Sequence, residues 1–216
     1  MGHPLPDAHS EQLSDVAAHL SIVPAIQLSR PEELPEGFLY RDEFLSEAEE
    51  AELMGIFRGL EFAAYDYHGY KAKRRVARYG INYDINTRLE RDNVLPIPEF
   101  LTDIRKRAAA FAGITAGDLL QAMVSEYSVG TPIGWHRDAP QFGTIIGISL
   151  GSACRMRLKS YESSGKVLSV RLEPRSIYVM RGLARSEWQH SIPAVEQLRY
   201  SITFRTLRSK GRRVAA

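Results

Sequence analysis

At Leu120 the sequence changes period, and that change restricts the fold more than any other feature. From there onward short runs rich in Val, Ile, Tyr and Thr are separated by turn signals at Gly130, Gly151, Ser163-Ser164-Gly165, Pro174 and Gly182. The spacing predicts seven or eight short strands, which bury their apolar faces as a sandwich or jelly roll. Upstream the pattern is helical. Ser46-Glu47-Ala48-Glu49 is a Ser-x-x-Glu capping box opening a helix with Leu53, Ile56, Phe57 and Leu60 on one face. A second helix is predicted from near Pro98 to about Ala112, with Leu101, Ile104, Ala108 and Phe111 at helical spacing before Gly113. Gly37-Phe38-Leu39-Tyr40 reads as a short strand. The expected class is α+β with a mainly β core, a sandwich or jelly roll with the early helices packed on one sheet.

At 216 residues the chain is long enough for one domain with a sizeable core, expected over 36–208. Residues 1–35, punctuated by Pro4, Pro6, Pro24, Pro31 and Pro35, read as a loosely ordered leader, and 209–216 as a basic tail. With 44% hydrophobic and 25% charged residues the composition is that of a globular protein, and no apolar run reaches a bilayer-spanning length. A signal peptide pattern is missing, so the cytoplasm is the expected compartment, and a monomer the expected state. One cysteine, Cys154, excludes an internal disulfide and reads as core filling. A net charge of +2 argues for no polyanion by itself, so any such argument rests on where the basic residues lie.

The chemistry concentrates in Gly134-Trp135-His136-Arg137-Asp138, just before the buried-strand run Phe142 to Gly151. Read as a strand, His136 and Asp138 point to one side with Cα atoms roughly 6 to 7 Å apart, so both reach one ion. Of the six histidines, His3, His9 and His19 lie in the leader, and His190 sits in another strand-like run, Trp188 to Pro193. Two histidines and one carboxylate with adjacent positions open form the ligand set of non-haem Fe(II) oxygenases. His-x-Asp alone is a weak signal. Arg199-Tyr200-Ser201-Ile202-Thr203-Phe204-Arg205 adds to it, because Tyr200, Ile202 and Phe204 form one apolar face and the other carries two arginines. An arginine fork suits bidentate binding of a carboxylate.

In this order of motifs the chain resembles the AlkB family of Fe(II)- and 2-oxoglutarate-dependent dioxygenases, over roughly Phe38 to Leu207. The motifs are Tyr79-Gly80-Ile81-Asn82-Tyr83, Tyr127, His136-x-Asp138, Ile145 to Gly151, His190 and Arg199 to Arg205. The resemblance implies a double-stranded β-helix (jelly roll) with His136, Asp138 and His190 as iron ligands, and Fe(II), 2-oxoglutarate and O2 as cofactor and cosubstrates. It implies Arg199 on the C5 carboxylate of 2-oxoglutarate with Tyr127 beside it, and Arg205 approaching the other end. Strand geometry puts the Cα atoms of Arg199 and Arg205 about 20 Å apart, so both side chains have to lean inward. The implied reaction oxidises 2-oxoglutarate to succinate and carbon dioxide while hydroxylating an N-alkyl carbon, whose hemiaminal collapses to the free base and an aldehyde. The chain departs from the family at Ser125, where asparagine is usual, at Pro140, where repair members carry an acid, and at Ile81, where a tyrosine is usual.

Basic and aromatic residues interleave from Tyr65 to Tyr79, with Lys71, Lys73, Arg74, Arg75 and Arg78 among them, a composition that stacks bases and neutralises phosphates. With Tyr83 they are the candidate contacts to alkylated, preferably single-stranded, nucleic acid, whose target base enters the pocket by flipping. Trp135 and Tyr83 are candidates to line that pocket, although Trp135, on the strand face opposite to His136, is expected in the core, and Arg185 is read as structural or, by the resemblance, as lying near the active-site mouth. Two other readings stand beside oxidative demethylation. One is the same oxygenase chemistry on a protein or small molecule, favoured by Pro140 and Ile81. The other is a non-catalytic metal-binding jelly roll, which has no need of Arg199.

Overall fold

The computed structural model describes residues 33–67, 70–81, 95–161 and 167–208. Along the chain lie β1 (Phe38–Arg41), α1 (Glu47–Phe57), β2 (Ala63–Tyr67), β3 (Tyr70–Gly80), α2 (Thr102–Ala112) and β4 (Leu119–Tyr127). Then follow β5 (Ile133–His136), β6 (Phe142–Gly151), β7 (Cys154–Ser160), β8 (Val167–Leu172), β9 (Ile177–Met180), α3 (Gly182–Ser186), β10 (Trp188–Ile192) and β11 (Arg199–Leu207). Eight strands thus follow the change of period. Seven strands form one sheet in the order β1-β9-β6-β11-β4-β3-β2, and four form a second in the order β5-β10-β7-β8. Every neighbouring pair is antiparallel. The fold is the mainly β jelly roll that the strand spacing implies.

Alternation assigns each strand two jobs. Along β11, Tyr200, Ile202 and Phe204 join Val124 of β4, Ile146, Ile148 and Leu150 of β6, and Leu53, Phe57, Ile104 and Ala108 of the helices in one apolar cluster. A second cluster gathers Ile145, Tyr178 and Met180 of the large sheet with Cys154, Met156, Leu158, Leu168, Val170 and Leu172 of the small one. One face of the large sheet therefore carries the helices and the other faces the small sheet. Cys154 is buried, as core filling requires.

The helices begin and end as their sequences dictate. Ser46 Oγ accepts from the Glu49 amide at 3.2 Å while Glu49 Oε2 accepts from the Ser46 amide at 2.7 Å, which closes the capping box. A short 3-10 turn, Glu99–Leu101, leads into α2, whose C-cap Gly113 takes the left-handed φ of 66°. Arg107 of α2 bonds Glu49 and donates to the Phe44 carbonyl at 2.6 Å, tying the second helix to the start of the first. Phe57 is fully buried between the helices and the sheet, its ring 5.4 Å from that of Tyr200. Burying such a side chain contributes roughly 1.5–3 kcal/mol.

Two glycines test this packing in opposite directions. A Cβ on Gly147 would stand 2.2 Å from the Tyr178 ring, so Gly147→Ala should destabilise by about 1–3 kcal/mol through displacement of that ring. In α1 the same change at Gly55 meets nothing within 4 Å and should stabilise by about 0.5–1 kcal/mol. Urea unfolding of both variants checks the pair of signs.

Candidate metal centre and buried guanidinium slot

Cross-strand pairing brings the two histidines together. His190 of β10 is registered opposite His136 of β5, and their rings lie 4.2 Å apart at 52°. Asp138 completes the group, its Oδ2 3.7 Å from His190 Nε2, and the ligand atoms of all three fall within 4.8 Å of one another. One expectation needs correcting here: β5 ends at His136, and Asp138 stands in the link to β6 rather than on the same strand face. Arg185 explains how a link residue is held. Its Nη2 donates to the carbonyls of Asp138 and Ala139 at 2.9 and 2.6 Å from a buried position on α3. Arg185 is thus a buried structural tie that stands beside the centre.

The protonation states are those of metal ligands. His136 Nδ1 lies 2.9 Å from the Gly134 carbonyl, which can only accept, so Nδ1 carries the proton and Nε2 keeps its lone pair. Burial, then the neighbouring His136, pulls His190 down to about 3, and burial also lowers His136. Burial pushes Asp138 up, but Arg205, both histidines and Arg185 outweigh it and hold the carboxyl below its usual range. Neutral imidazoles beside an ionised carboxylate bind a divalent ion without first losing protons.

Both arginines of β11 are buried on the face toward the small sheet. Arg205 stands at the metal end, where Nη2 donates to Asp138 Oδ1 at 3.0 Å and Nη1 to Gln121 Oε1 at 2.8 Å, so it does lean inward and engages the carboxylate ligand. Arg199 stands at the other end, only 1% exposed, its guanidinium 4.8 Å from the Tyr127 ring centre and its Nε donating to Ser149 Oγ at 3.2 Å. Among the described residues no carboxylate pairs with it, and its Nη1 is buried without a partner. Ser125 Oγ, on the adjacent strand, is likewise buried and unpaired. A buried cation with an open donor is costly unless an anion completes it. The open donor of Arg199 is therefore a ready partner for a carboxylate.

Tyr127 lies against this guanidinium. Burial raises its hydroxyl, but the charges of Arg74 and Arg199 outweigh that and lower it. Arg74 thus faces the centre, its charge felt by both histidines. Arg75, one residue on, projects to the helix side, where Nε and Nη2 donate to Glu126 at 2.9 and 2.7 Å. The basic run is therefore split between two faces. Arg78 is half-buried on the parity of Arg74. Tyr83 lies outside the described residues, as do the side chains from Tyr65 to Ala72, the termini 1–32 and 209–216, and the turn Ser163-Ser164-Gly165. Trp135 is 39% exposed instead of buried, with Arg157 5.1 Å above its ring.

Two contributors escaped the sequence reading. Gln121 shares the inward parity of Ser125 and Tyr127 on β4, so alternation alone marks it. Tyr178 occupies the space that Gly147 leaves beside Arg199 and Asp138, whose charges it feels, and a glycine inside Ile145-Ile146-Gly147-Ile148 was its signal.

A jelly roll holding a two-histidine, one-carboxylate centre defines a class of metal-dependent oxygenase folds. The model of the 2OG-Fe(II) oxygenase superfamily matches residues 43–208, and the chain belongs to that superfamily, with AlkB-like proteins among its relatives. Fe(II), 2-oxoglutarate and O2 are accordingly its cofactor and cosubstrates. It is similar to the "Alkylated DNA repair protein ALKBH8 homolog" of Arabidopsis thaliana, 28% identical over 195 residues, covering 79% of this chain and 54% of that protein. It is also similar to "tRNA (carboxymethyluridine(34)-5-O)-methyltransferase ALKBH8" of Macaca fascicularis, 28% identical over 169 residues, 76% of this chain and 25% of that protein. The chain thus spans about half of the first relative and a quarter of the second. The solved structure of OsALKBH1 shares the fold with a TM-score of 0.62 at 18% identity, over 80% of this chain and 98% of that one. No helix among the described residues is long and apolar enough to cross a membrane.

Metal binding and stability should separate between the ligands. Mn(II) at about 100 times its Kd should stabilise the protein by about 2.7 kcal/mol. His136→Ala should abolish that gain at little cost to the metal-free fold. Asp138→Ala should abolish it and also lower metal-free stability by about 3–5 kcal/mol, because Arg205 loses its buried partner. Urea titrations with and without Mn(II) measure both effects.

Proposed function

We propose that this protein is an oxidative demethylase of N-alkylated bases in nucleic acid, acting on single strands as a monomer. The observation that carries the cosubstrate assignment is the buried, unpaired Nη1 of Arg199. In this reading Arg199 holds the C5 carboxylate, with Ser149 fixing its Nε and Tyr127 flanking the chain of the cosubstrate. Ser125 offers its hydroxyl where the family usually has an amide. Arg205 and Arg185 keep the Asp138 carboxylate and its backbone in place for the metal. When bound, Fe(II) with 2-oxoglutarate supplies the oxidant from O2, releasing succinate and carbon dioxide. The chain's own part is to position both carboxylates and to exclude water behind Tyr127 and Tyr178, both buried. The names of the Arabidopsis and macaque relatives, one a DNA repair protein and the other a tRNA-modifying one, support nucleic acid as the substrate class.

The test is a coupled assay of succinate and aldehyde on methylated oligonucleotides. Succinate should form slowly without substrate, faster with it, and only with Fe(II) and O2 present. Arg199→Ala should mainly raise the 2-oxoglutarate requirement, since each charge-assisted bond contributes about 1.5–3 kcal/mol. An unchanged requirement removes Arg199 from its role. Succinate formation with no aldehyde from any alkylated DNA or RNA moves the substrate to a protein or small molecule.

A further inference from the structure

The outer face of the small sheet is a second basic and aromatic surface, separate from the β3 run. On β7, Cys154, Met156 and Leu158 point into the core, so Arg155, Arg157 and Lys159 point outward at intervals of about 6 to 7 Å. Among the described residues none of these three is paired with a carboxylate. Pairing extends the row sideways: Arg157 is registered opposite Ser191 of β10 and Ser169 of β8, and its Nε donates to Ser191 Oγ at 3.0 Å. The same guanidinium lies 5.1 Å over the ring of Trp135 on the edge strand β5. Nearby, Arg137 stands 4.5 Å over the ring of Tyr161, which is 61% exposed.

Trp135 and Arg137 flank the metal ligand His136 in sequence. The outward ring of Trp135 is therefore on the reverse side of the strand that carries His136, at the open edge of the small sheet, and exposed Arg137 follows in the link to β6. A line of cations fits a polyanion. Exposed rings beside that line fit flat bases, each of which has a face to stack, whereas an acidic peptide offers carboxylates and no flat faces.

We propose that this face is a track for single-stranded nucleic acid, with phosphates on Arg155, Arg157 and Lys159 and a base stacked on Trp135. The proposal rests on the nucleic-acid reading given above and adds a location to it. A strand held there passes the β5 edge, from which a neighbouring nucleotide turns toward the centre. Arg75, engaged with Glu126 on the helix side, takes no part.

The experiment is fluorescence-anisotropy binding of a labelled, unmodified oligothymidylate to the full chain across a salt series. Arg155→Ala with Lys159→Ala should flatten the slope of log affinity against log salt by about 1.4, at about 0.7 for each phosphate no longer neutralised. Trp135→Ala should weaken binding roughly tenfold, the size of one base stack, and Trp135→Phe should restore most of it. Arg58→Ala with Lys106→Ala, two exposed cations on the helix side, should leave the slope as it is. Binding by the unaltered protein that the β7 and Trp135 variants do not weaken overturns the track and leaves the demethylase reading standing. Equal flattening by the helix-side pair overturns it too, in favour of diffuse attraction. Competition by polyglutamate as strong as by unlabelled oligonucleotide overturns it in favour of an acidic protein partner. Absence of any oligonucleotide binding by the unaltered protein removes the nucleic-acid reading and the track together.

Discussion

A guanidinium buried to 1% exposure, with no carboxylate among the described residues to pair it, is the constraint around which this structure is arranged. Such a charge persists only where neighbouring dipoles partly solvate it and the surrounding fold is stable enough to bear the cost. The dipoles come from Ser149 and Tyr127, one from each strand flanking β11. The stability comes from the opposite face of the same strand, where Tyr200, Ile202 and Phe204 join the helices' cluster. One strand thus joins the largest apolar core to the most polar part of the interior, and adjacent residues never compete for the same space.

Asp138 has a related arrangement. Its Oδ1 is bonded by Arg205, while Oδ2 faces His190. One oxygen is committed to the protein and one is available to an ion. The two arginines that hold this residue act on different atoms, Arg205 on the carboxylate and Arg185 on the backbone carbonyls. A ligand in a link between strands would otherwise sample many positions, and each of these bonds removes freedom that metal binding would have to remove.

The sequence made the helices legible because their signals are local: the Ser46 to Glu49 box and the Gly113 cap each lie within one turn of the element they bound. It also exposed the alternation of β11, and the six-residue spacing from Arg199 to Arg205 placed both on one face. What alternation could not say is whether a second layer covers a face. Trp135 does oppose His136 on its strand, but the small sheet's outer face has no layer over it among the described residues, so the ring is exposed. Composition could not divide the β3 run for a similar reason. Arg74 and Arg75 look alike as a basic pair, yet the pleat sends one toward Tyr127 and the other to Glu126. Arg185 was ambiguous because its partners are backbone carbonyls 46 and 47 residues away, which no local pattern announces.

Dividing the site between two sheets follows from what each has to hold. The ions and rings of the centre need two strands in tight register, and the β5–β10 pair gives the histidines opposite positions at a sheet edge. The two arginines need length instead: a long strand with neighbours on both sides presents guanidinium groups six residues apart with their stems covered. β11, nine residues long and flanked by β4 and β6, meets that need. The separation between the sheets then becomes a functional dimension, because it fixes how far Arg205 of one sheet stands from the ligands tethered to the other. Side chains such as Tyr178, whose ring fills the space beside Gly147, set that separation. A change in interior volume there should be felt in the geometry of the centre before it is felt in the helices, which pack on the far side of the large sheet.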